Sequence, residues 1–336
     1  MKGVINMKKI LVIGGTGAIG RYAVKELLNM GYQVDVISLD DIKSDNPNLR
    51  YMVGPGKDIG YMKNVIETGK YDGIIDYMIY TTPEFSDRFQ MFLENTDHYI
   101  YLSSYRIYAD DKVITEKSPR LLDVSDDKEF LASEDYALYK ARGENILNAS
   151  KYNNFTIVRP SITYSEYRYQ LVTLEANILI PRSLAGKKIL LPEQARDVYG
   201  TMTCAKDSGK MFARLMFNEK AYRETFTIST SEYHKWSEIA ELYTKYLGSE
   251  FVWGDRMDYI NILSGGDVVN PHIMWQLDLD RLFNRVIDNS KILSVTGMKA
   301  DELTPLEVGL KEMLDNADLK TIKPSVACMA MDEYFK

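Results

Sequence analysis

Three residues of this chain, Ser104, Tyr136 and Lys140, have the types and spacing to move a proton. The run from Tyr136 to Leu147 is helical in pattern, so Tyr136 and Lys140 lie one turn apart on the same face. A free tyrosine has a pKa of about 10. Bringing it near 7 takes roughly 4 kcal/mol of differential stabilisation, and an ammonium one turn away acts in that direction. Such a tyrosine is a general acid or base. Ser104 stands directly after an apolar run, His98 to Leu102, that reads as a strand, and its hydroxyl could hold a reacting oxygen in line. The chain has 24 tyrosines, so Y-x-x-x-K alone carries little, and its position after the serine carries the reading.

A second set of residues comes earlier. Gly14, Gly15, Thr16, Gly17, Ala18, Ile19 and Gly20 follow Lys9-Ile10-Leu11-Val12-Ile13, a β-branched apolar stretch that predicts a buried parallel strand. Arg21 to Met30 then carries Ala23, Val24, Leu27 and Leu28 at helical spacing, and Gly31 stops it. Glycines in a strand-to-helix turn suit a dinucleotide. Gly14 permits the tight turn, Gly17 lets amides approach a pyrophosphate, Gly20 lets the helix pack on the strand, and the helix start adds positive charge. An acidic residue on the adenosine ribose is expected about 20 positions on. Asp40 and Asp41 follow the second predicted strand, Gln33 to Leu39, and an alignment shifted by two puts the position on Ser38. Two carboxylates there would repel a 2′-phosphate by roughly 1–4 kcal/mol each, which favours NAD over NADP.

These residues need a sheet to position them. Asn48–Val53 reads as the third strand, Asp58 as a turn residue beside an adenine site, and Ile59–Gly69 as a helix. Tyr71–Tyr80 reads as the fourth strand, ending in bulky Tyr77, Met78 and Ile79; Phe85–Asn95 reads as a helix, and Phe155–Arg159 as the sixth strand. Strands alternating with helices predict an α/β fold, a Rossmann-type doubly wound parallel sheet whose carboxyl ends hold the ligand. The charged stretch Asp123 to Glu134 reads as a solvated insertion, with Thr115-Glu116 as a ligand contact.

Composition narrows the function classes. The chain has 336 residues, 45% hydrophobic, with a net charge of −7. No basic run of five occurs, which argues against nucleic acid or an anionic membrane as partner. No apolar run approaches a membrane span of about 18–20 residues. Two cysteines without C-x-x-C and three scattered histidines imply neither a disulfide framework nor a metal site, and fit a reducing cytoplasm. The stretch Met1 to Gly20 mimics a signal peptide, but cleavage there would destroy the glycine turn; Met7 is an alternative start, leaving residues 1–6 as a disordered extension.

Taken in order, Gly14-x-x-Gly17-x-x-Gly20, Ser103-Ser104 with Tyr108, Thr115-Glu116, Tyr136-x-x-x-Lys140 with Glu144, and Val158-Arg159-Pro160 with Tyr164 resemble the extended short-chain dehydrogenase/reductases, the NAD-dependent epimerase/dehydratase family. The resemblance covers about the first half of the chain; Thr225–Trp236 and Asp288-Asn289-Ser290-Lys291 match more loosely. It implies Tyr136 as acid/base in hydride transfer, Lys140 also on the nicotinamide ribose, and Ser104 on the substrate oxygen. The cofactor would lie on Gly14, Thr16, Gly17, Ala18, Ile19, Gly20, Asp40 and Asp58. It further implies a nucleotide sugar or similar substrate, contacted by Ser104, Glu116 and Arg196, with Arg182 competing for the phosphate, and a homodimer paired through the Tyr-Lys helix. Two departures stand out. Tyr105-Arg106-Ile107 replaces the Asp-Glu pair that dehydratases carry after this serine, and the spacing from Arg196 to Asp207 differs from the family's. The expected organisation is an NAD-binding domain over 1–165 with a returning segment at 201–225, a smaller α/β substrate lobe over 166–200 and 226–320, and a tail at 321–336 without a role. Two alternatives to a sugar-nucleotide epimerase or oxidoreductase are a reductase of a non-sugar carbonyl compound and a non-catalytic NAD(P)-binding regulator.

Overall fold

A computed structural model describes residues 7–266 and 269–336. The expected extension at 1–6 lies outside the described residues. The centre is a seven-stranded parallel sheet: β1 (Lys9–Ile13), β2 (Gln33–Ser38), β3 (Leu49–Val53), β4 (Gly73–Asp76), β5 (His98–Leu102), β6 (Phe155–Pro160) and β7 (Glu224–Ile228), in the order β7-β6-β5-β4-β1-β2-β3. The order reverses between β1 and β4, and a doubly wound sheet opens its ligand crevice at that reversal. The Rossmann-type α/β expectation holds.

Alternation along β1 explains why both faces are covered. Ile10 and Val12 point to one side, where α1 (Gly20–Asn29) and a returning helix pack; Leu11 and Ile13 point to the other, against α2 (Ile59–Gly69) and α3 (Tyr136–Ala149). The returning helix is α4 (Ala205–Leu215), which crosses α1. His98 is a packing residue: its Nε2 meets Thr156 Oγ1 at 2.8 Å and its Nδ1 accepts the Phe217 N–H at 2.9 Å.

The rest of the chain builds a second cluster. It includes Tyr164, Leu179, Leu190, Trp236, Tyr243 and Leu310, all buried, and a two-stranded parallel pair, Lys188–Pro192 with Glu250–Gly254. This lobe closes one side of the crevice.

Several expectations are corrected. The fourth strand is four residues long, because the Asp76 carboxylate accepts the Met78 N–H at 3.0 Å and the Tyr99 hydroxyl at 3.0 Å and pulls the chain out of the sheet. The single helix expected over Phe85–Asn95 is two short ones, Thr82–Ser86 and Phe89–Glu94, the first started by a Thr81–Glu84 capping box. The stretch Asp123 to Glu134 is not a plain solvated loop. It forms parts of the short helices Leu121–Val124 and Lys128–Ala132, pinned by Phe130, which is buried against Trp275. The tail has a structural role as well: helix Ala327–Tyr334 buries Met331, and buried Arg182 donates to the Cys328 carbonyl and to Asp332, each at 2.8 Å. Arg182 is therefore a clasp on that helix.

Candidate functional site

At the end of β1 the chain turns at Gly14, whose φ of +75° is a left-handed conformation open to glycine. Gly20 opens α1, and a Cβ there would stand 2.7 Å from the Gly15 Cα, so the helix could not begin this close to the strand with any side chain. α1 has no side-chain cap and no acid in its first turn, which leaves its positive end open to a ligand.

Beside this turn lies a cleft of about 390 Å³ over the carboxyl ends of β1, β4, β5 and β6. Gly14, Gly17, Ala18, Ile19 and Gly20 line one end, and Ser104 and Tyr136 line it beyond Leu102. Ser104 is fixed by a short turn, Tyr105–Ile107, in which its Oγ accepts the Arg106 N–H at 3.2 Å. Behind it is a buried polar network of residues quoted for the resemblance. Ser103 Oγ donates to Glu144 at 2.5 Å, Arg159 donates to Glu144 at 2.8 and 2.7 Å, and Arg159 also reaches the Tyr108 hydroxyl at 2.8 Å. This network locks the end of β5 to α3 and β6, and Ser104 and Tyr136, carried by two of these elements, both line the cleft.

Tyr136 begins α3, whose N-cap Asp135 accepts the Ala137 N–H at 2.9 Å. Lys140, one turn on, is fully buried and donates to the Leu102 carbonyl at 2.5 Å, with its Nζ 5.8 Å from the centre of the Tyr136 ring. Burial lowers the Lys140 pKa to about 8, although Asp76 and Glu144 oppose the shift. Burial likewise raises the Asp76 carboxyl to about 6, against the Met78 N–H, Tyr99 and Lys140.

These shifts carry a prediction. Lys140 is a cation at pH 7 and loses its charge as pH rises through about 8. Between that pH and the ordinary lysine value the folded chain holds fewer protons than the unfolded one, so this group makes stability rise with pH in that window. Activity that depends on the ammonium therefore falls above pH 8 while the thermal midpoint does not fall on its account. A kcat profile flat from pH 7 to 10 would overturn the dependence on Lys140.

The other expected residues lie elsewhere. Thr16 Oγ1 meets Ser38 Oγ at 2.7 Å, and Ser38 Oγ is 3.1 Å from Asp40 Oδ2, a polar chain at the end of β2. Asp58 caps α2, accepting the Tyr61 N–H at 2.7 Å. Glu116 accepts the Thr227 N–H at 2.7 Å and so braces β7. Arg196 lies over the Trp253 ring in a separate groove that also includes Ser237 and Glu241. The cleft instead presents Arg106, Thr163, Arg168, Gln170, Gln276 and Arg281, none of which was expected there. Arg106, two residues after Ser104, has a signal in the sequence; the others come from distant stretches and have none.

The residues fit a dinucleotide: the glycine turn is open where a phosphate would lie, since a Cβ on Gly17 would meet nothing but the Gly14 carbonyl within 4 Å. Tyr77 and Met78 pack against Gly14, and Tyr77 also lines the cleft. Among the described residues no group of three metal-ligating side chains occurs, and no helix is long and apolar enough to cross a membrane.

No family model matches the chain. The chloroplast stem-loop binding protein of 41 kDa b from Arabidopsis thaliana is 25% identical over 252 residues, 71% of this chain and 63% of that protein. A UDP-glucose 4-epimerase from Lacticaseibacillus casei is 34% identical over 100 residues, 28% of this chain and 30% of that enzyme. The matches thus span less than two thirds of either relative. The Bordetella bronchiseptica enzyme WbmG, solved with NAD and UDP, superposes with a TM-score of 0.66 at 17% identity, over 95% of this chain and 97% of that one. With its reversed parallel sheet, its glycine turn and its serine, tyrosine and lysine at the carboxyl ends of the strands, the chain has the fold of the extended short-chain dehydrogenase/reductases.

Proposed function

We propose that this chain is an NAD-dependent enzyme that oxidises or reduces an alcohol carbon of a sugar nucleotide, as an epimerase or oxidoreductase. The observation that carries the reading is the single cleft that joins the glycine turn to Ser104 and Tyr136, with Lys140 buried beside them. NAD held along Gly14–Gly20 would accept the hydride in an oxidation, and its reduced form would return a hydride in a reduction. Tyr136 takes or returns the proton of the substrate oxygen, and Ser104 donates a hydrogen bond to that oxygen. The Lys140 ammonium favours the charged form of a partner beside it and holds the end of β5 through Leu102. The solved enzyme with NAD and UDP and the epimerase relative support the cofactor and the substrate class. The same reading carries a cytoplasmic homodimer.

Mass spectrometry of the protein purified without added ligand is the test. Copurifying NAD and a sugar nucleotide are expected; NADPH with a non-sugar carbonyl compound would shift the reading to the alternative reductase.

A second reading has one observation behind it: the relative that spans 71% of this chain is named as a stem-loop binding protein. The net charge of −7 opposes it. Retention of a stem-loop RNA at about 150 mM salt, where weak phosphate contacts are screened, would favour it.

A further inference from the structure

The cleft has two kinds of arginine. Most donors of Arg281, and of Arg285 behind it, are taken: Arg281 Nε reaches the Val172 carbonyl at 2.8 Å and its Nη1 the Tyr105 hydroxyl, which leaves only Nη2 without a protein partner among the described residues, and Arg285 reaches the Tyr108 and Ala109 carbonyls at 3.0 and 3.1 Å. Both also bind Asp280, which accepts the Tyr105 hydroxyl at 3.2 Å as well. Burial alone would raise the Asp280 pKa, but the neighbouring arginines hold it below the ordinary carboxylate value.

Arg106 is different. Its side chain is 14% exposed, yet its nearest carboxylate oxygens are Asp135 Oδ1 at 3.6 Å and Asp280 Oδ2 at 3.7 Å, beyond hydrogen-bond reach. Both carboxylates are already engaged, Asp280 as above and Asp135 by the Ala137 N–H at 2.9 Å and by His272 Nδ1 at 3.1 Å. The Arg106 Nε is buried without a partner. An orphaned buried donor of a charged group is costly unless something else accepts from it. The guanidinium carbon stands 5.2 Å from the centre of the Tyr136 ring, so the unspent donors lie at the reacting end of the cleft. Arg168, on the opposite lobe, lines the same cleft and makes no ion pair among the described residues.

We propose that the substrate carries an anionic group, a carboxylate or phosphate, at the end that reaches Tyr136, and that Arg106 receives it with Arg168 as the second cation. The proposal rests on the reading of this cleft as a substrate site. A planar guanidinium donates two parallel hydrogen bonds to either group, which a neutral hydroxyl cannot match. Water filling the cleft could serve the same donors, but it brings no negative charge to Arg168, nor to Arg106, whose two nearest carboxylates are shared with other donors.

The test is calorimetry of the NAD-loaded protein with three probes: UDP-glucuronate, UDP-glucose and inorganic phosphate. UDP-glucuronate is expected to bind at least tenfold more tightly than UDP-glucose, the worth of one good charged contact at about 1.4 kcal/mol. Arg106→Gln abolishes that preference, and Arg106→Lys retains part of it; thermal midpoints within a few degrees of wild type show that both variants fold. If neither sugar nucleotide binds but phosphate does, and Arg106→Gln loses it, the anion site stands while the sugar-nucleotide reading falls. Equal binding of the two sugar nucleotides, no phosphate binding alongside failure of both, or a preference that survives Arg106→Gln overturns the proposal.

Discussion

Gly17→Asp is expected to abolish NAD binding while leaving the fold intact. Gly17 has no left-handed φ, so an aspartate can adopt its backbone conformation. Its Cβ would meet the Gly14 carbonyl oxygen at 3.3 Å and nothing else within 4 Å, a contact that asks for a shift of a few tenths of an ångström. The carboxylate then occupies the space where the pyrophosphate would approach the start of α1. Two like charges about 4 Å apart repel by roughly 1 kcal/mol in water and about 4 kcal/mol at lower effective dielectric, and the side chain also excludes the phosphate sterically. Calorimetry with NAD should show no binding in the millimolar range, with a thermal midpoint near wild type. Wild-type affinity in the variant would mean that the dinucleotide lies elsewhere. Gly20→Ala is the contrasting case: its Cβ would fall 2.7 Å from the Gly15 Cα and 2.9 Å from the Gly14 oxygen, so the turn itself must move. The cofactor preference is a separate question. Ser38 and Asp40 share one hydroxyl–carboxylate contact at the end of β2, and a strong preference for NADPH would refute the argument from Asp40 and leave the glycine turn untouched.

The parts of this molecule that could be read from the sequence are those whose physics is local. The β1–turn–α1 unit is one, because strand, glycines and helix occupy about twenty consecutive residues and each needs only its neighbours. The Tyr136–Lys140 spacing is another, since a helix puts residues four apart on one face wherever it lies. The strand after which Ser104 falls could also be placed, although nothing local shows that Glu144 and Arg159 hold it there. What could not be read is what distant segments bring. Arg168, Gln276 and Arg281 enter the cleft from the second lobe, and no spacing in the sequence ties them to Ser104. Asp76 looked like an interior strand residue. Its hydrogen bonds to the Met78 amide and the Tyr99 hydroxyl end the strand, and the second of these partners lies on the neighbouring strand. Phe130 sits in a charged stretch that suggests solvent, yet it is buried against Trp275, and the tail helix is ordered by buried Ala327, Cys328 and Met331 together with Arg182 from a distant segment. Glu116 was an acid beside the expected site, and its carboxylate is used on the β7 backbone instead.

Tyr136→Phe should lower kcat by roughly 10²–10⁴, the range for losing a general acid or base, and change NAD affinity little. The substitution is a clean one here. The Tyr136 hydroxyl makes no hydrogen bond to the protein among the described residues, so its removal orphans no partner, and the ring keeps its edge contact with Tyr139 at 5.4 Å between centres. The other tyrosines nearby are poor substitutes. The Tyr108 hydroxyl is taken by Thr227 at 2.7 Å and by Arg159, the Tyr105 hydroxyl is taken by Asp280, and burial pushes the Tyr101 hydroxyl well above its ordinary pKa. Tyr139 is raised by burial as well and does not line the cleft with the glycines. Lys140→Met, set beside Tyr136→Phe, separates the part of the lysine from that of the tyrosine. It removes the cation beside Tyr136 and the hydrogen bond to the Leu102 carbonyl, so both kcat and NAD binding should weaken, whereas Tyr136→Phe affects kcat alone. Steady-state kinetics on the copurified substrate, paired with NAD titrations of both variants, reads out the difference. A Tyr136→Phe enzyme that keeps wild-type kcat and its pH dependence removes Tyr136 from the chemistry. Tyr139 and then Tyr108 would be the next hydroxyls to replace, and the cleft would then serve binding with the proton handled by another group.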